Sequence, residues 1–228
     1  SVMTLILRSA FSTLLMTEAG HGARHGTVIA AEHQSQGRGR QNRAWIAPVG
    51  GALAFSLLWR FGRGAAALSG LSLAVGVAIV RALRALGAAD VQLKWPNDVL
   101  AGGRKLAGIL LEAENLAPDR LVVVVGIGTN VVAAPTDTPY PAVSPHDLGV
   151  TVGAEDLFAA LSDAWTEQRG IWDDGCGFAA IRKAWLARAA GLGEPVSVKS
   201  GAAVIEGVFE TIDDTGCLIV RSADGRRI

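Results

Sequence analysis

Apolar residues fall in short runs through the first half of the chain, interrupted by one long helical stretch. Thr27–Glu32 (TVIAAE) is a short β-branched run, and Ala52–Trp59 (ALAFSLLW) reads as a second strand. Ala65–Leu86 is rich in helix formers and closes on Arg81, Arg84 and Gly87, a favourable C-terminal arrangement. Val91–Trp95 returns to strand, and Pro96 forbids its simple continuation. Ala107–Glu114 and Leu121–Ile127 are both strongly apolar, which predicts a buried antiparallel pair joined by a turn at Pro118-Asp119.

Val131–Leu148 holds four prolines and no helical period, so a long loop is expected. Ala154–Gly170 and Phe178–Ala190 follow as two amphipathic helices, the second closed by Gly191. Beyond Glu194 the pattern changes to short strands, Pro195–Lys199, Ala203–Ile212 and Gly216–Ser222, separated by Ser200-Gly201 and Asp213-Asp214-Thr215-Gly216 turns. The change of period predicts two units: residues 1–193 as an α+β domain and 194–228 as a small β module. The module is expected to fall one or two strands short of a closed barrel. No internal repeat or low-complexity segment is evident.

Composition narrows the class of protein. Half of the 228 residues are apolar and 18% are charged, which is globular rather than disordered. Lys+Arg and Asp+Glu both number 21, and this balance argues against a nucleic-acid partner. The most apolar run, Ala65 to Val80, is interrupted by Ser69, Gly70, Ser72 and Gly76 and is shorter than the ~20 residues of a membrane span, so no membrane partner is expected. The start lacks a cationic front with a small-residue cleavage site, and a cytoplasmic protein is expected. Cys176 and Cys217 have no metal-ligand spacing, and His21, His25, His33 and His146 are scattered, with Gly20 and Gly22 placing the first two in a loop.

The chemistry concentrates in three segments. Gly37-Arg38-Gly39-Arg40, with Arg43 and Trp45 after it, alternates guanidinium forks with glycines and then closes on an aromatic. Guanidinium forks match carboxylates and phosphates, so the segment is either an anion-binding loop or a solvated basic loop. Lys94-Trp95-Pro96-Asn97-Asp98 exposes Asn97 and Asp98 at a strand end, where they either contact a ligand or close a local turn. Lys105 stands just before the buried strand as a compact positive charge, and Gly108 removes side-chain bulk from that strand. Gly126-Ile127-Gly128-Thr129-Asn130 follows a strand but opens no helix, which excludes a dinucleotide-binding turn and leaves Asn130 as a nucleotide contact. Trp45 is either core or a platform beside an adenine ring. Trp165, Trp172 and Trp185 sit at helical spacing and belong to the core.

In order and spacing, Glu32…Gln34…Gly37-Arg38-Gly39-Arg40…Arg43…Trp45, Lys94-Trp95-Pro96-Asn97-Asp98 and Lys105-Leu106-Ala107-Gly108-Ile109 closely resemble biotin protein ligases. The resemblance runs from about Thr27 to Asn130 and more loosely through the C-terminal module. It implies an α+β catalytic domain with a mixed central sheet, related to class II aminoacyl-tRNA synthetases, followed by an SH3-like barrel. It also implies two-step chemistry, in which biotin and Mg-ATP give biotinyl-5′-adenylate and a lysine of a biotin carboxyl carrier domain then takes the biotinyl group. Arg38 and Arg40 would cover the biotin carboxylate and α-phosphate, with Lys105 opposite and Asp98 assisting. Arg43 would reach the triphosphate, and Trp45 would flank the adenine. Asn97, Gly37, Gly39, Gly108, Gly128 and Asn130 complete the biotin- and ATP-binding set, while Ser12, Thr13 and Gln34 match biotin contacts, with Leu14 beside them. Magnesium would arrive with the ATP phosphates.

The resemblance departs in two places. Leu14 stands where the family carries Asn after Ser-Thr, and about a dozen residues precede Ser12, too few for the DNA-binding domain of some members. A monofunctional ligase is therefore expected, and a homodimer by analogy. The competing readings are a lipoate-type protein ligase and a non-catalytic biotin- or nucleotide-binding module.

Overall fold

A computed structural model describes residues 11–31, 37–61, 68, 70–117, 120–201 and 203–228. Glu32, Gln34 and the Pro118-Asp119 turn lie outside them, as do Ala65–Ala67 at the start of the expected first helix.

The larger unit is built on a six-stranded sheet in the order β1-β2-β6-β5-β4-β3. Its strands are β1 (Val28–Ala31), β2 (Ala52–Phe61), β3 (Val91–Lys94), β4 (Asp98–Ala101), β5 (Arg104–Ala117) and β6 (Arg120–Asn130). The expected mixed sheet is instead antiparallel at every strand pairing. Strands β3 to β6 follow one another as hairpins, and hairpins enforce antiparallel pairing because a short turn cannot cross the sheet.

Strand β4 is absent from the sequence-based expectation, because Pro96 reads as a strand end. The chain instead reverses within Trp95–Asn97, so that Lys94 pairs with Asp98. It then turns back through Gly102 and Gly103, at φ +55° and +72°. Two successive left-handed residues define the tight hairpin turn whose twist matches the flanking strands, and glycine adopts them without steric cost.

Alternation along the strands gives the sheet two unlike faces. On one face Phe55, Trp59, Val123, Val125 and Ile127 are buried under α2 (Leu71–Ala85), α3 (Ala154–Trp172) and α4 (Phe178–Leu186). Trp172 and Trp185 are in this core as expected, and Trp165 packs against it. On the other face Ala54, Leu58, Val122 and Val124 meet α1 (Phe11–Gly20), which buries Phe11, Leu15 and Ala19 at four-residue spacing. The sequence pattern does not reveal this helix, since Leu14, Leu15 and Met16 are consecutive apolar residues that obscure its period. Arg60 closes its C-terminus by donating to the carbonyls of Ala19 and Ala23 at 2.7–2.9 Å. His21 and His25 follow it in a turn, as expected.

The C-terminal strands β7 (Pro195–Ser200), β8 (Ala203–Ile212) and β9 (Leu218–Arg221) form a separate antiparallel meander. Residues Arg226–Ile228 fold back along β9, with reciprocal backbone bonds between Val220 and Ile228. The meander is fastened to the larger unit by a Trp185–Phe209 edge contact and by Arg182, which donates to the Ile212 carbonyl at 2.6 Å. The Trp95 indole donates to the Gly216 carbonyl at 3.0 Å.

Candidate active site

A cleft of about 1140 Å³ opens on the α1 side of the sheet, beyond the end of that helix. Its floor follows from the strand alternation. Registers Ala54↔Gly128↔Gly108 and Ser56↔Gly126↔Leu110 run across three strands, so small residues, with Leu110 the exception, line up where α1 no longer covers the sheet. Gly126 and Gly128, two apart on β6, face the same way for this reason. The glycine pattern that fails as a dinucleotide turn is a strip of floor without side chains, and the Trp45 indole rests on part of it.

One wall is the arginine segment. Residues 37–45 form a small closed hairpin: Gly39 N–H donates to Arg43 O at 2.7 Å, and Trp45 N–H donates to Gly37 O at 2.8 Å. The left-handed residue at its tip is Gln41, while Gly39 is extended at φ −108°. In this state Gly39 is therefore not required by backbone geometry. Arg38 reaches back to donate to the Thr13 hydroxyl on α1 and lies 3.6 Å from the Glu112 carboxylate on β5. Arg43 donates to the Gln41 side chain at 3.0 Å, and no partner among the described residues takes the Arg40 guanidinium. The Trp45 indole lies against Gly128 and Gly108, with its ring N–H buried and unpartnered among the described residues.

The opposite wall is the mouth of β5. Lys105 and Gly108 are three apart and should face opposite sides of a regular strand. The register shifts here: Asp98 pairs with Gly108, but Leu100 pairs with Lys105. The extra residue, a β-bulge, turns the Lys105 side chain onto the cleft face. Its ammonium sits 2.7 Å from Asp98 and lies over the rings of Tyr140, 5.0 Å from the centroid, and Trp45, 5.7 Å away.

The remaining candidates are placed as follows. Ser12 is buried in α1 and lines the cleft, whereas Thr13 and Leu14 do not, and Leu14 packs with the α1 cluster instead. Asn97 lines the cleft, but its amide donates to the Ile109 carbonyl at 2.6 Å, which fastens β4 to β5. Gly37 is buried within the hairpin. Asn130 is buried below the cleft and donates to the carbonyls of Lys105 and Val143 at 3.3 and 3.1 Å. Its side-chain oxygen has no partner among the described residues, a buried acceptor that lacks a donor.

Sequence reasoning does not single out Lys199 on β7, or Tyr140 in the proline-rich loop, and it leaves Lys94 without a role. Both lysines line the cleft, which thus gathers Arg38, Arg40, Arg43, Lys94, Lys105 and Lys199 around Asp98, the one carboxylate that lines it among the described residues, with Glu112 behind Arg38. In a chain with no net charge this is a strong local concentration of positive field, suited to a ligand with several negative charges. Among the described residues no group of three His, Cys, Asp or Glu side chains is placed to hold a metal. No helix among them is long and apolar enough to cross a membrane.

Known proteins share both sequence and architecture with this chain. The profile of the biotin/lipoate A/B protein ligase family matches residues 12–130, and that of the biotin protein ligase C-terminal domain matches 191–228. The biotin–[acetyl-CoA-carboxylase] ligase of Paracoccus denitrificans is 42% identical over 88% of this chain and 86% of its own length. The bifunctional ligase/repressor BirA of Escherichia coli is 31% identical over 96% of this chain and 69% of its own length. A biotin protein ligase from Aquifex aeolicus, solved in complex with biotin and ATP, superposes with a TM-score of 0.81 at 26% identity, covering all of this chain and 94% of that one. The chain belongs to the biotin/lipoate A/B protein ligase family.

Proposed function

We propose that the chain activates biotin as biotinyl-5′-adenylate with ATP and transfers the biotinyl group to a lysine of a biotin carboxyl carrier domain. The observation that carries this reading is the cleft itself: among the described residues, six cationic side chains and one carboxylate line it around a floor of glycines. In the first step a biotin carboxylate oxygen attacks the α-phosphorus of ATP, and the bond to the bridging oxygen breaks to release pyrophosphate. Both reactants are anionic and repel until neutralised, so fixed positive charge on two sides lowers the barrier. Arg38 and Arg40 serve from the hairpin and Lys105 from the strand mouth. Asp98 orients Lys105.

In the second step the acceptor amine attacks the acyl carbon, the bond to the AMP oxygen breaks, and the amine loses a proton. A closed hairpin keeps water from the anhydride in the interval. Arg43 points to the triphosphate and Trp45 flanks the adenine. Ser12 forms polar contacts to the biotin ring system. The unpartnered oxygen of Asn130 suits an exocyclic amine of the base. Magnesium would arrive with the ATP phosphates and offset part of their charge; Asp98, already paired with Lys105, is the only carboxylate lining the cleft among the described residues that would face it.

Residues 1–193 form the catalytic unit, related in architecture to class II aminoacyl-tRNA synthetases, and 194–228 form an SH3-like module. Strand β7 of that module supplies part of the cleft wall. The enzyme acts in the cytoplasm, and a homodimer is the expected assembly. The test is mass spectrometry of a purified carrier domain incubated with this chain, ATP and either biotin or lipoate. A biotin-dependent mass increase on one lysine supports the reading. Lipoate transfer alone would assign the other branch of the family, and no transfer would favour a binding module.

A further inference from the structure

We propose that Tyr140 is a positioning residue for the adenylation step, its ring holding the Lys105 ammonium over the cleft; this rests on the role of Lys105 given above. The ammonium has two kinds of neighbour, the Asp98 carboxylate at 2.7 Å and the faces of Tyr140 and Trp45 at 5.0 and 5.7 Å from their centroids. They act differently on its charge. A carboxylate largely cancels the field that a phosphate would feel. An aromatic face attracts the cation through its quadrupole and leaves its full charge available. Of the two rings, Trp45 belongs to the hairpin and lies on the floor where a ligand must fit, so it is the ring expected to change partner on binding. Tyr140 also lines the cleft, but from the proline-rich loop rather than from the hairpin.

The backbone fixes Tyr140 to the residue whose side chain it holds. Pro139 and Pro141 flank it, and the proline after it confines it to extended conformations. The Lys105 N–H donates to the Pro141 carbonyl at 2.8 Å, and the Val143 N–H donates to the Lys105 carbonyl at 2.9 Å. Asn130 bonds both the Lys105 and Val143 carbonyls, and the Thr138 hydroxyl donates to the Tyr140 carbonyl at 2.6 Å. Among the described residues no partner takes the Tyr140 hydroxyl, so the ring is the operative group.

The experiment is biotin-dependent ATP–pyrophosphate exchange by the full chain, with kcat and the KM values for biotin and ATP measured separately. The set comprises wild type, Tyr140→Phe, Tyr140→Leu, Lys105→Ala and the Tyr140→Leu/Lys105→Ala double variant. Tyr140→Phe should retain at least about half of kcat, and Tyr140→Leu should lose about ten-fold while either KM moves by less than about three-fold. In the Lys105→Ala background the leucine substitution should cost nothing further. The proposal is overturned if Phe is as damaging as Leu, if Leu leaves kcat intact, or if the leucine loss persists without Lys105. Lys105→Ala with full activity, or wild type without exchange, would remove the underlying reading, and this proposal with it.

Discussion

Lys105 and Gly108 face the same side of β5 although they are three residues apart. The lysine ammonium and its last carbon would lie 3.4 Å from a methyl placed on Gly108. The bulge between them is what brings a positive charge over a bare stretch of sheet, and Asp98 meets that charge from the neighbouring strand. Lys105→Ala should reduce adenylate formation by about two to three orders of magnitude, the loss typical of removing a fixed group that stabilises developing charge. Its ion pair is partly solvated and contributes at most about 1 kcal/mol, so the thermal midpoint should fall by no more than about 4 °C. A collapse of the midpoint, measured by calorimetry, would make Lys105 a structural residue instead.

Arg40 differs from its neighbours in lacking a partner among the described residues, while Arg38 and Arg43 are both engaged. A guanidinium held for the ligand alone can be removed without loosening the hairpin. Arg40→Gly should therefore fold normally but let the adenylate escape and label lysines of a bystander protein. Acceptor selectivity equal to that of wild type in a streptavidin blot would deny Arg40 a sealing role.

Gly128 carries the Trp45 indole so closely that any β-carbon would collide with it. Gly128→Ala should displace the indole and raise the KM for ATP by about ten-fold or more, since small misplacements at a site are costly. In a Trp45→Ala background the same alanine should add little, because its obstacle is gone. Independent, additive losses would show that the floor rather than the tryptophan is what the methyl disturbs.

Asp147 accepts from the Ser144 backbone N–H and from the Ser144 hydroxyl, both at 2.8 Å. The backbone bond first, then the hydroxyl, hold its carboxyl below the ordinary value of 3.8. A carboxylate depressed in the folded state stabilises above its unfolded pKa, and that stability is lost as pH falls through the folded one. Asp147→Asn should lower the thermal midpoint at neutral pH, and the gap to wild type should close below about pH 4. A gap independent of pH would exclude the charge as its source.

Much of this architecture is legible in the sequence because it is carried by local pattern. Strands β2, β5, β6 and β8 and helices α2 and α3 follow from runs and periods that survive without tertiary context. The turn at Trp95–Asn97 hides β4, because a proline that ends one strand can also begin the reversal into the next. The bulge at Lys105 leaves no mark in composition, since Leu106 reads like any core residue. Lys94, Lys199 and Tyr140 come from three separate elements and meet only through folding. The arginine segment is legible as a candidate anion site, but its glycines are not explained by backbone strain. Its positive φ falls on Gln41.

The central claim is that the cleft joins a biotin carboxylate to the α-phosphate of ATP. Isotope exchange between labelled pyrophosphate and ATP measures the reversal of that step and nothing later. The account predicts that label enters ATP when biotin is present, that omission of biotin abolishes the exchange, and that Lys105→Ala suppresses it. Absence of exchange with biotin, or exchange driven equally by lipoate, would contradict it.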